Sequence, residues 1–313
     1  MPMTKKSNVK RRLTKIVSLS IATLFLLATG IVPAFGQSSN GTRVDLDVAN
    51  LENLEEGHYE GWVVDGDERI SFGKFNVRSN GDLETLSGKR IKHFETNKDV
   101  DDVQDFEITV EPDDDDDSTP SDSIIMEGEA DSSNKADLEF EAIDFDDLKG
   151  DYIVKAPTFT NPDVPAGVWF FDPDDNESSL DIPDAPKGWK YEGWVVYRNQ
   201  VPLTTGRFSD PNGPDDFDGF SGDANPAPPF PGQDYIQNLP LGLKGPLLVD
   251  DGDSRIAITI EPDIDGTDPS GPLPFQLAPL TDKIPENIDV EEDFDFRMNR
   301  SKKSLPTGTV QLD

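Results

Sequence analysis

Apolar residues recur along this chain in short alternating runs, broken every few positions by Gly, Pro, Asp or Ser. That is the two-residue period of half-buried strands, not the 3.6-residue period of amphipathic helices. Tyr59-Glu60-Gly61-Trp62-Val63-Val64 is rich in β-formers and stops at Asp65-Gly66-Asp67, a turn signal. Residues 70–77 alternate apolar with small or polar side chains, and residues 106–110 do the same until Pro112 ends the ladder. Ile124-Ile125-Met126, Leu138-Glu139-Phe140, Tyr152-Ile153-Val154 and Gly167-Val168-Trp169-Phe170-Phe171 add further short strands. After Gln37 nothing carries the period and caps of a helix, and residues 97–105 offer one turn at most. The pattern predicts an all-β chain built of antiparallel, sandwich-like sheets.

Two passages nearly repeat each other. The hexapeptide at 59–64 returns unchanged at 191–196. Gly73-Lys74-Phe75 is matched by Gly206-Arg207-Phe208, and Ile108-Thr109-Val110-Glu111-Pro112 by Ile258-Thr259-Ile260-Glu261-Pro262. The order is kept while the offsets grow, as inserted loops would make them, and this predicts an internal duplication. The expected division is a first β-domain over 37–160, a second over 161–282, and a flexible tail over 283–313, where charge and proline return. Five aspartates stand in a row from Asp113 to Asp117, and Pro, Gly and Asp dominate residues 209–234. A loop of that length is either functional or disordered.

The first 36 residues have another character. Lys5, Lys6, Lys10, Arg11, Arg12 and Lys15 precede a mostly apolar stretch over 16–31, then Pro33, then Ala34-Phe35-Gly36 before Gln37. This is the three-part anatomy of a secretory signal peptide over 1–36. An uncleaved anchor is the alternative, since about 20 residues suffice to span a bilayer. Either way the remainder lies outside the cytoplasm, periplasmic or extracellular, and no later stretch is long and apolar enough to cross a membrane.

Composition sharpens this picture. The chain carries 63 Asp+Glu against 28 Lys+Arg, a net charge of −35. So negative a surface repels nucleic acid and anionic lipid, which makes both poor partner candidates. The 18 Phe, 4 Trp and 5 Tyr argue against disorder, because they can build a core. With no cysteine there is no disulfide, no thiolate zinc site and no cysteine nucleophile.

At the repeat the residues resemble the extracytoplasmic C-terminal domain of anti-sigma-K factors. That family shows a Tyr-x-x-Trp strand, a Gly-x-Phe strand, and a Val-Glu-Pro strand end followed by a Gly-Ser-x-x-Pro-x-Gly hairpin. Here the order recurs twice, over roughly 58–128 and 189–275. The resemblance implies a β-rich ectodomain and brings no catalytic residues with it. The family's cytoplasmic sigma-binding domain has no counterpart, because about 15 residues before the apolar stretch are too few to fold.

Candidate chemistry is sparse. His58 and His93 are the only histidines, and the repeat places Lys190 at the counterpart of His58. There is no Gly-x-Ser-x-Gly elbow, and a metal held through His and Cys is ruled out for lack of ligands. No spacing singles out a carboxylate pair among the acids. No catalytic, cofactor-binding or metal-binding residue is therefore assigned, and the chain is not expected to be an enzyme. Calcium is the one metal the composition invites. Asp250-Asp251-Gly252-Asp253 and Asp263-Ile264-Asp265-Gly266 are its candidates, though turn formation explains both more simply. Trp62 and Trp194 are expected in the duplicated core. Glu60 and Glu192, two residues earlier, share that face and need partners there, while Tyr59, Gly61, Tyr191 and Gly193 take the other face. The expected function is a non-enzymatic secreted or periplasmic binding or structural module, with a protein or cell-envelope component as partner. A membrane-anchored regulatory ectodomain is the first alternative, and an acidic hydrolase with a carboxylate pair the second.

Overall fold

The alternating runs become strands, and the one helical element among the described residues is the 3-10 turn Pro240–Gly242. The computed structural model describes residues 41–115, 118–264, 267–290 and 295–313. The signal peptide read at 1–36, Asp116 and Asp117 of the aspartate run, and Asp265-Gly266 of the second calcium candidate lie outside the described residues. No helix among those described is long and apolar enough to cross a membrane.

In chain order the first strands are β1 (Arg43–Ala49), β2 (His58–Asp65), β3 (Glu68–Val77), β4 (Leu83–Glu84), β5 (Phe94–Glu95), β6 (Val103–Glu111), β7 (Ile124–Glu129) and β8 (Lys135–Glu139). Five short ones follow: β9 (Lys149–Tyr152), β10 (Gly167–Trp169), β11 (Phe171–Asp172), β12 (Glu177–Ser178) and β13 (Leu180–Asp181). The rest are β14 (Trp189–Tyr197), β15 (Val201–Phe208), β16 (Gly232–Asp234), β17 (Arg255–Pro262), β18 (Leu280–Lys283), β19 (Phe296–Arg297), β20 (Asn299–Arg300) and β21 (Thr307–Leu312). The fold is all-β, and its sheets are antiparallel. The sheets include a curled half-barrel, and the largest sheet has nine strands in the order β4-β3-β2-β6-β7-β8-β21-β1-β5. A five-stranded sheet runs β15-β14-β17-β18-β20. Smaller ladders join β13-β9-β19, β10-β16 and β11-β12.

The repeated segments adopt the same local geometry. β2 lies between β3 and β6, and β14 between β15 and β17. A bulge falls between Gly61 and Trp62 and again between Gly193 and Trp194. It leaves Phe72 and Thr205 as the extra residues, and the following Gly73 and Gly206 take φ values of 141° and 114°, which side chains disfavour. A Cβ on Gly61 would stand 2.0 Å from the Phe72 ring, so the bulged phenylalanine needs glycine opposite it. Tyr59 stacks on Phe75 at 5.5 Å, and Tyr191 on Phe208 at 5.6 Å.

Three expectations are corrected. The tail read at 283–313 supplies strands, because Thr307-Gly308-Thr309-Val310-Gln311-Leu312 pairs with β8 on one side and β1 on the other, burying Val310 and Leu312. The boundaries at 160 and 282 do not delimit separate sheets, since β9 bonds to both β13 and β19, and residues Ser39–Asp313 form one unit. Trp62 and Trp194 are buried, at 1% and 4% exposure, but on the polar side of their strands. The continuous apolar core takes the opposite face: Tyr59, Val63, Phe106, Ile108 and Val110 in the first strand trio, Tyr191, Val195, Ile256, Ile258 and Ile260 in the second. β2 is buried on both faces, so burial of the tryptophan does not require core packing.

Candidate functional site

The polar face of each strand trio carries one hydrogen-bond relay, built twice. Trp62 Nε1 donates to Thr109 Oγ1 at 2.9 Å, and the Thr109 hydroxyl donates to Glu111. Trp194 Nε1 donates to Thr259 Oγ1 at 3.1 Å, and Thr259 donates to Glu261 at 2.6 Å. The backbone N–H of Ser121 or Phe275 supplies a further donor to the same glutamate. Glu60 accepts from Ser71 and pairs with Lys74 at 3.5 Å, while Glu192 accepts from Thr204 at 2.6 Å and pairs with Arg207 at 3.8 Å. These are the partners that buried carboxylates on the tryptophan face require.

The cost of that burial appears in proton affinity. Desolvation lifts Glu60 and Glu111 above the ordinary glutamate range. It lifts Glu192 further, with the neighbouring Glu261 carboxylate adding to the shift. An acid raised in this way keeps its proton in the folded chain after the unfolded chain has released it. Its stabilising effect is full at low pH and is lost as pH climbs from about 4.3 toward the raised value. Glu192→Gln, which keeps the acceptor for Thr204, is therefore expected to flatten the decline in stability between pH 5 and 9. Urea unfolding across that range checks this, and curves that stay parallel to the parent's would refute it.

The two strand trios differ at the position two residues before Glu60 and Glu192. In the second, Lys190 pairs with Asp263 at 3.3 Å. In the first, that position holds His58, 1% exposed, and neither ring nitrogen has a hydrogen-bond partner among the described residues. Burial, then the nearby Lys74 ammonium, lower its pKa. His58, Glu60 and Asp115 each bring a ligand atom within 4.8 Å of the others, the one such group of three among the described residues. Sequence reasoning passed over His58 because the repeat did not require it. The available signal was parity: His58 and Glu60 are two apart and face the start of the aspartate run. His93 is on the surface near Glu95 and takes no part.

Three acids of the calcium candidates have partners of their own. Asp251 Oδ1 accepts from the backbone N–H groups of Asp253 and Ser254 at 2.9 and 2.7 Å, and Asp250 accepts from that of Ile288. Asp263 is held by Lys190.

The long loop at 209–234 is anchored. Gln233 Nε2 donates to Phe217 O at 2.8 Å, Gln237 Nε2 to Ser221 O at 2.7 Å, and Asn225 bridges the carbonyls of Pro157 and Phe159. With β10 it walls a cavity of about 360 Å³ lined by Trp169, Phe217 and Phe230 and by Asp215, Asp216 and Asp218. Phe171 stacks on Phe230 at 5.6 Å. Trp169 is fixed from behind by Asp234, which accepts its Nε1–H at 2.7 Å and also holds Thr158. Asp215 accepts from the N–H groups of Gly232 and Phe217, and burial raises it to about 7. The Glu192–Glu261 pair does not line this cavity. No family model, characterised protein or solved structure matches this chain.

Proposed function

We propose that this chain is a non-enzymatic, exported binding module whose ligand presents a positive charge on an apolar or aromatic body, such as a basic segment of a protein partner. The observation that carries this reading is the cavity under the 209–234 loop, whose lining includes three aspartates and three aromatic rings. Aromatic faces and carboxylates together suit a guanidinium or ammonium carried on an apolar stem. Its location outside the cytoplasm is supported by the basic, apolar and small-residue order of residues 1–36 and by the resemblance at the repeat.

The test is calorimetric titration at about 0.15 M salt with Ac-Gly-Arg-Tyr-Gly-NH2, against the same peptide carrying Glu for Arg. Saturable binding of the arginine peptide alone is expected. The exposed changes Asp216→Asn and Asp218→Asn together should weaken it on the order of tenfold. Because a cation favours ionised Asp215, affinity should rise between pH 6 and 8 as that carboxyl titrates at about 7. Equal binding of both peptides, or of neither, would overturn the proposal.

A further inference from the structure

We propose that His58, Glu60 and Asp115 form a divalent transition-metal site, of zinc type, in the first copy of the relay, and that the Lys74 ammonium holds the cation's place when no metal is bound.

The first support is His58 itself. A buried imidazole with both nitrogens idle leaves its polar atoms unpaid, and a native structure rarely tolerates that without a reason. The second support is what the ring faces. Glu60 is 3% exposed, and the Asp115 side chain is 8% exposed. Lys74 Nζ stands 2.6 Å from Asp115 Oδ2 and 3.5 Å from Glu60 Oε2, a positive charge between two of the proposed ligands. The Lys74 side chain is 27% exposed, so its ammonium has a path to solvent. Ligand atoms bound to one tetrahedral ion at about 2.0–2.2 Å stand about 3.4 Å apart, so the 4.8 Å cluster needs only modest side-chain rotation to close.

The third support is the internal contrast. The second copy keeps the glutamate of the relay but sets Lys190 where His58 stands and Arg207 where Lys74 stands. Two cations there leave no imidazole ligand. One imidazole with two carboxylates selects zinc or a neighbouring transition metal over magnesium or calcium, which prefer all-oxygen sets.

The experiment uses the full chain without a histidine tag, stripped of metal, titrated by calorimetry with zinc, manganese, magnesium and calcium chlorides at about 0.15 M salt, with thermal melts in parallel. One saturable equivalent of zinc is expected, with a raised melting temperature. His58→Gln, and His58→Lys as in the second copy, should weaken zinc by about tenfold or more, whereas His93→Gln should leave it unchanged. Lys74→Met, which removes the competing ammonium, should tighten zinc binding and remains informative if the His58 variants do not fold. Zinc affinity that survives loss of His58, calcium binding as tight as zinc, or a Lys74→Met chain with unchanged affinity would each overturn the site.

Discussion

A chain cut after Leu305 is expected to lose its nine-stranded sheet, not merely a loose end. β21 is hydrogen-bonded on both edges, from Val44↔Leu312 to Ala49↔Thr307 on one side and from Thr307↔Glu139 to Gln311↔Lys135 on the other. Its removal exposes two open edges and the cavity left by Val310 and Leu312, which are 1% and 4% exposed. Each of those side chains contributes about 1.5–3 kcal/mol of burial, and each ladder hydrogen bond about 0.5–1.5 kcal/mol net. The sum rivals the about 5–15 kcal/mol that a domain has in total. Val310→Asp should reproduce most of the loss without shortening the chain. Urea unfolding and limited proteolysis read the outcome. A truncated chain that keeps the parent's midpoint would show that the pairing contributes nothing.

Trp62→Ala should cost about 3–5 kcal/mol, the range for emptying a large buried site. The indole also donates to Thr109, so Trp62→Phe should still cost about 1–3 kcal/mol through the unmet polar partner. Trp194, which shares the geometry through Thr259, should follow the same order. Denaturant unfolding of the four variants checks this. An alanine change near zero would show that the buried indole contributes nothing to stability.

The reach of the sequence differed from element to element. The exact return of Tyr-Glu-Gly-Trp-Val-Val made the paired trios legible, and the two-residue period separated Glu60 and Trp62 from Tyr59 and Gly61. It did not say which face was the core. A tryptophan in a strand reads as core, yet Thr109 and Glu111 share its side and make that side polar. β21 alternates weakly, Thr-Gly-Thr-Val-Gln-Leu, behind a lysine-, serine- and proline-bearing stretch, and only its two neighbours make it a strand. The cavity was hidden for a similar reason. Residues 209–234 have loop composition, and their phenylalanines gain meaning only once β16 is laid beside β10 and Trp169. His58 was visible but discounted, because a repeat argument weighs what the copies share and the site lies where they differ.

The place of β21 also bears on how strands choose partners. β1 presents Asp45 and Asp47, and β8 presents Asp137 and Glu139, so direct contact between these two strands would set like charges side by side. β21 carries no charge, and its Thr309 lies opposite Asp47 on one edge and Asp137 on the other. The neutral strand acts as a spacer between two acidic ones. Until residue 312 has been made, β1 and β8 repel both each other and the same strands of another copy, which discourages edge-to-edge aggregation while the sheet waits open. Pairing residue 44 with residue 312 is then a long loop closure, so completion of the sheet is expected to be a late and slow event in folding.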